Sequence, residues 1–80
     1  MSGVRFLIHT RPECPYCDKA KALINECGLA YEERQHITEA QRVEFKTKMG
    51  VNTFPLIIDL MSGQRVGGYS ELVDYSADLF

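Results

Sequence analysis

The sequence predicts an α/β fold, a mixed four-stranded sheet flanked by three helices in the order β-α-β-α-β-β-α. Three observations predict it. A short apolar, β-branched run lies near the N-terminus, apolar residues then recur at helical spacing ahead of glycine stops, and two extended runs are joined by a polar turn.

Val4 to His9 is the first of these runs, and the turn residues Thr10-Arg11-Pro12 end it, as expected of a buried strand. Pro15 suits the first position of a helix, Ala20, Leu23, Ile24 and Cys27 follow at helical spacing, and Gly28 is a natural stop. A first helix is therefore expected over Pro15 to Cys27. Leu29 to Arg34 alternates weakly and is expected as a second strand. Thr38 with Gln41 three residues on is a capping-box signature; Ala40, Val43 and Met49 supply part of an apolar face, and Gly50 closes this second helix. Leu56 to Leu60, the turn Ser62-Gly63-Gln64 and Arg65-Val66 read as a hairpin. Ser70 is a good N-cap for a last helix in which Leu72, Tyr75, Ser76 and Leu79 share one face. A strand-helix-strand start implies a parallel pair and the hairpin an antiparallel one, hence a mixed sheet.

A chain of 80 residues holds one core and not two, so a single domain over residues 1–80 is expected. Apolar residues at 45% and charged residues at 25% are ordinary globular values. A net charge of −2, with Lys and Arg scattered along the chain, argues against a nucleic-acid partner. The apolar stretches Phe6 to Ile8 and Phe54 to Ile58 fall far short of the roughly 20 residues that cross a bilayer. No membrane association, no export signal and a cytoplasmic setting are expected. The 3 cysteines are an odd number, which disfavours a structural disulfide framework.

Cys14 and Cys17 form a C-x-x-C at the start of the first helix. That position sets the first sulfur beside unpaired backbone N–H groups and the positive end of the helix dipole, both of which favour thiolate. Thiolate is the form that attacks a disulfide, so a Cys14 pKa below the free value of about 8.5 is expected. Cys17 is within reach to resolve the mixed disulfide. Glu13 and Asp18 oppose the ionisation, whereas Arg11, Lys19 and Lys21 could favour it. Zinc is the alternative reading of such a pair. It usually takes four ligands, and Cys27, His9 and His36 stand at no familiar ligand spacing, so redox chemistry is favoured and no metal is expected. Cys27 falls on the apolar face of the first helix and reads as a small buried hydrophobe. Tyr31, His9 and His36 read as structural or surface residues.

Cys14-Pro15-Tyr16-Cys17, Thr53-Phe54-Pro55 and Gly67-Gly68-Tyr69-Ser70-Glu71-Leu72, in that order, resemble the glutaredoxins over essentially the whole chain. The resemblance implies a thioredoxin-like fold. It implies a cis Phe54-Pro55 bond that sets the Phe54 backbone opposite Cys14, ready to pair with an extended thiol peptide. Gly67 and Gly68 allow close approach of a ligand, and the Ser70 and Glu71 N–H groups would take the γ-glutamyl carboxylate of glutathione. Arg11, three residues before Cys14, matches the basic position directed at the glycine carboxylate of glutathione, with Arg42 a further candidate. Tyr16, Thr53, Phe54, Pro55, Gly68, Tyr69, Ser70 and Glu71 complete the implied glutathione site, although Phe54 stands where many relatives carry a smaller aliphatic residue.

The activity so implied is glutathione-dependent reduction of protein disulfides and glutathione mixed disulfides, with Cys14 as nucleophile and Cys17 as resolving thiol. A pair potential in the glutaredoxin range of about −200 to −230 mV suits it. The expected partners are glutathione and disulfide-containing or glutathionylated proteins, ribonucleotide reductase being one that only the resemblance suggests; a monomer is expected. Two alternatives stand beside it: a protein disulfide reductase driven by a thioredoxin-reductase-like flavoenzyme, and an iron-sulfur or zinc module. The whole reading requires the Cys14 sulfur to be accessible and to face the Pro55 and Gly68 segments.

Overall fold

Alternation in the N-terminal run sorts its side chains onto two faces of a sheet. Phe6, Ile8 and Thr10 are buried on one face, while Leu7 and His9 are half-buried on the other. The computed structural model describes residues 3–79, the side chain of Leu79 excepted, so the place expected for Leu79 on the inner face of the last helix lies outside the described residues. Its elements are β1 (Val4–Thr10), α1 (Pro15–Glu26), β2 (Ala30–Gln35), α2 (Glu39–Met49), β3 (Leu56–Asp59), β4 (Arg65–Gly67) and α3 (Tyr69–Leu79). The sheet order is β2-β1-β3-β4, with β1 parallel to β2 and the other neighbours antiparallel. This is the expected mixed sheet with three helices.

Two buried clusters hold the layers together. Phe6, Ile8 and Ile57 of the sheet pack with Ala20 and Ile24 of α1 and Leu72 of α3, and Tyr31 and Tyr75 close over them. The second cluster joins Cys14 and Cys17 to Phe45, Phe54 and Leu56. The reactive pair is thus part of the packing and inherits its rigidity.

The capping box of α2 is present in full: the Thr38 hydroxyl accepts the Gln41 N–H, and the Gln41 side chain accepts the Thr38 N–H. Gly50 ends that helix at a left-handed φ of 68°. Its inner face differs from the expected one. Val43 is 58% exposed and Ala40 is exposed, whereas Arg42, Phe45, Lys46 and Met49 form the stripe turned inward. These four stand at i, i+3, i+4 and i+7, and the cationic pair joins the stripe because its alkyl stems pack while the charges reach out.

The start of α3 also differs. Ser70 lies inside the helix, and Gly68 is the cap: its carbonyl accepts the Leu72 N–H at 3.0 Å, and its N–H donates to Glu71 Oε1 at 2.7 Å. A glycine brings no capping side chain, so the carboxylate three residues on satisfies the end from inside the helix. Cys27 caps the end of α1 and is half-buried, not fully enclosed as expected.

Candidate active site

Cys14 has extended backbone angles (φ −116°, ψ 98°) and is the N-cap of α1, followed at once by Pro15. Its sulfur accepts the Cys17 N–H at 3.2 Å. A sulfur in the N-cap role replaces the usual hydroxyl or carboxylate, and any negative charge on it is met by a backbone donor and the helix dipole. The two cysteines form a disulfide, with Cα atoms 5.2 Å apart.

Cys14 keeps 5% of its surface exposed and Cys17 1%. The expectation of an open sulfur is corrected: in the disulfide form Cys14 sits against Phe54 in the second cluster. Cys17 is the more enclosed residue of the two, and Cys14 stands at the helix end.

Before Cys14 the chain makes a tight corner. Glu13 adopts a left-handed φ of 56°, and Arg11 Nη1 donates to the carbonyls of both Pro12 and Glu13 at 3.0 Å. Arg11 therefore braces the loop that presents Cys14, with its remaining donors on the exposed side. Of the cations considered for the thiolate, Lys21 is turned away to Glu33 (3.0 Å) and Asp18 (3.6 Å), and Lys19 lies over the Tyr16 ring at 5.1 Å.

A groove of about 450 Å³ reaches the pair only through Phe54, which lines it and packs with Cys14; neither cysteine lines it. One wall is Asn52 to Pro55, and the other is Gly68 to Glu71, with Arg11, Tyr16 and Lys46 completing the lining. The Phe54-Pro55 bond is cis, as expected. The walls come close at Gly68, where a Cβ would stand 3.7 Å from the Pro55 carbonyl oxygen and 3.2 Å from Glu71 Oε1. Gly67 has a φ of 117°, and a Cβ there would lie 2.9 Å from Glu71 Cγ, so a side chain is excluded on both counts. Tyr16 and Tyr69 face one another with ring centres 6.1 Å apart.

The structure thus brings together Arg11, Tyr16, Thr53, Phe54, Pro55, Gly68, Tyr69, Ser70 and Glu71. It leaves Arg42 out of this groove. Arg42 donates to the Ile37 carbonyl and lines an adjoining depression that shares Arg11 and Lys46 with the groove. Lys46 and Asn52 line the groove and were not foreseen. Lys46, 5.8 Å above the Phe54 ring, was legible in principle from the spacing of Arg42, Phe45 and Met49, whereas Asn52 carried no signal beyond its place next to Thr53. Among the described residues, no group of three or more His, Cys, Asp and Glu is arranged to hold a metal.

A glutaredoxin family model matches residues 6–60. The chain belongs to the glutaredoxin family. Glutaredoxin 1 of Rickettsia conorii is 38% identical over 71 residues, which cover 85% of this chain and 68% of that protein. A hybrid peroxiredoxin of Haemophilus influenzae is 36% identical over 70 residues, 88% of this chain, and the chain spans only 28% of its length. Among solved structures, glutaredoxin 1 from Francisella tularensis, complexed with cacodylate, aligns with a TM-score of 0.85 at 29% identity, covering 92% of this chain and 93% of that one. The fold is accordingly thioredoxin-like, and the chain is a thiol-disulfide oxidoreductase of the glutaredoxin family carrying the Cys14/Cys17 pair.

Proposed function

We propose that the chain reduces protein disulfides and glutathione mixed disulfides with electrons from glutathione, with Cys14 as nucleophile and Cys17 as resolving thiol. The observation that carries this reading is the position of Cys14: an N-cap sulfur bonded by the Cys17 N–H, packed on Phe54, which lines the groove.

In the monothiol route the Cys14 thiolate attacks the glutathione sulfur of a mixed disulfide. The S–S bond breaks, the protein thiolate leaves and takes a proton, and glutathione stays on Cys14. A second glutathione thiolate attacks that adduct, releasing glutathione disulfide and restoring the Cys14 thiolate. In the dithiol route Cys14 is joined to a substrate cysteine. Cys17 loses its proton, attacks the Cys14 sulfur, expels the substrate thiolate and leaves the Cys14–Cys17 disulfide, which two glutathiones then reduce.

Arg11, Tyr16, Thr53 to Pro55 and Gly68 to Glu71 are the residues proposed to bind glutathione. Its extended backbone would pair with the main chain at the cis Phe54-Pro55 wall, and its γ-glutamyl carboxylate would lie at the start of α3. Arg11 and Lys46 supply positive charge for the second carboxylate.

The decisive assay couples a small mixed disulfide to glutathione and glutathione reductase. Cys14→Ser should abolish turnover; Cys17→Ser should keep deglutathionylation and lose reduction of protein disulfides. An active Cys14→Ser variant would refute the assignment. The match to part of a hybrid peroxiredoxin favours a second reading of the substrate, in which the oxidised thiol belongs to a peroxiredoxin. Peroxide-dependent oxidation of glutathione in a mixture of this chain with a separate peroxiredoxin tests that reading.

A further inference from the structure

The back of the groove wall is an aromatic stack that the chemistry above does not use. His9 of β1 and His36, just past β2, meet with Nδ1 and Nε2 3.1 Å apart. The Phe45 ring lies on both, its centre 4.6 Å from that of His9 and 4.3 Å from that of His36. Phe45 in turn stacks on Phe54 at 5.1 Å, and His36 also reaches Phe54 at 5.6 Å. Phe54 lines the groove next to Pro55 and packs with Cys14. An unbroken series of ring contacts therefore runs from the histidine pair to the wall against which a substrate would lie.

We propose that His36, hydrogen-bonded to His9, is a positioning residue for the groove, holding Phe45 and Phe54 in register through a contact that survives only while the pair carries at most one extra proton. At 3.1 Å one facing nitrogen must donate and the other accept. A neutral pair meets this, and so does a pair with one added proton. A second proton sets N–H against N–H and charge against charge, and the rings must part.

The surroundings oppose that second proton at neutral pH. Burial lowers the pKa of both histidines, and His9 is lowered further by His36 and Arg34. The pair opens into a cavity of about 610 Å³ that also holds Glu33 and Arg34 from β2 and Glu44 and Lys48 from α2. Protons thus have access; Glu33 is bonded to Lys21 and Thr10 on the other face of the sheet and Arg34 to Glu32, which leaves Glu44 and Lys48 of α2 as the charges nearest the pair without those partners. On the far side of the stack, Lys46 lies over Phe54. The stack is therefore closed at neutral pH and loosens only in acid, when the second proton goes on.

The proposal takes the groove to be the glutathione site, so its test has an arm that needs no glutathione. The disulfide form contains no Cys14 thiolate to titrate. In that form, NMR shifts of the Thr53 and Phe54 amides should follow the second, more acidic of the two ring protonations, and His9→Gln, which keeps a hydrogen-bond partner and removes one titrating ring, should abolish that step in both amides. Thr53 and Phe54 signals that ignore the second ring protonation overturn the proposal whatever the enzyme assay shows. In the assay, His36→Ala should raise KM for a glutathionylated peptide about three- to ten-fold at pH 7.5 with kcat little changed. His36→Phe should restore KM and remove the rise in KM that acidification brings in the wild type. An unchanged KM in folded His36→Ala also overturns the proposal; absence of any glutathione turnover in the wild type, with the NMR coupling intact, rejects the proposed function alone.

Discussion

The guanidinium of Arg5 grips the carboxylate of Asp59 through two hydrogen bonds, Nε to Oδ1 at 2.8 Å and Nη2 to Oδ2 at 2.9 Å, and Asp59 has no exposed surface. The Tyr75 hydroxyl donates to the same carboxylate, and the Met61 N–H donates to Oδ1 at 2.9 Å. One buried anion thus ties β1, the turn after β3 and α3 together, with every side chain at its donors' reach.

The Arg5 hydrogen bonds hold the Asp59 carboxyl far below the usual carboxylate range, although burial alone would raise it. Its folded pKa is depressed, so the stabilisation is complete above the unfolded pKa of about 4 and is lost as pH falls below it toward the folded value. Asp59→Asn should cost about 2–3 kcal/mol at pH 7. Urea melts should show the difference between the two proteins shrinking by about 1 kcal/mol from pH 7 to pH 3 and further toward pH 2. A constant difference would mean that charge is not what Asp59 contributes.

Thr38 tests the start of α2. Thr38→Ala removes the acceptor for the Gln41 N–H and should destabilise by about 1 kcal/mol, a fall of roughly 4–8 °C in Tm for a chain of this size. Thr38→Asn should recover most of it, which differential scanning calorimetry can resolve.

Gly67→Ala places a methyl where the Glu71 side chain lies and strains a φ of 117°. The expected outcome is a loss of about 1–2 kcal/mol and weaker glutathione binding, because Glu71 is pushed from the Gly68 N–H that shapes the groove. A urea melt would register the first effect and calorimetric titration of Cys14→Ser protein bearing the added Ala the second; binding at the unsubstituted level would show that the groove tolerates the shift.

Lys46 and Arg42 separate the groove from the depression beside it. Lys46→Gln should raise KM for glutathione about two- to five-fold, the scale of one partly exposed charge, and lose most of that effect in high salt. Arg42→Gln should change it by less, since Arg42 does not line the groove. The reverse order would place the second carboxylate in the depression.

Cys14 in the reduced Cys17→Ser protein should ionise below the free-thiol value of about 8.5, given its N-cap position and the Cys17 N–H. Thiolate absorbance against pH measures it directly, and a midpoint at or above the free value would remove the basis for nucleophilic attack by this sulfur.

Most element boundaries and the reactive pair were legible because their signals are local. Pro15 after Cys14, the Thr38/Gln41 box, Gly50 and the Ser62-Gly63-Gln64 turn each act within about four residues, where the chain's own geometry fixes the outcome. Two local readings failed. Val43 was expected to face inward, but the inner stripe includes Arg42 and Lys46 instead, because side-chain polarity does not reveal that alkyl stems pack; Ser70 looked like the cap because a glycine cap borrows its acceptor from Glu71.

What the sequence by itself determined, then, is the order of strands and helices, the sulfur that begins α1, and the three segments that meet around it. The tertiary structure alone decided that Asp59 pairs with Arg5 across a separation of 54 residues, that Lys46 joins the groove, and that His36 touches His9 and backs onto Phe54 through Phe45. Those pairings depend on which faces the folded sheet presents to α2 and α3. No short-range propensity encodes that choice, because it is made by packing between residues far apart in the chain.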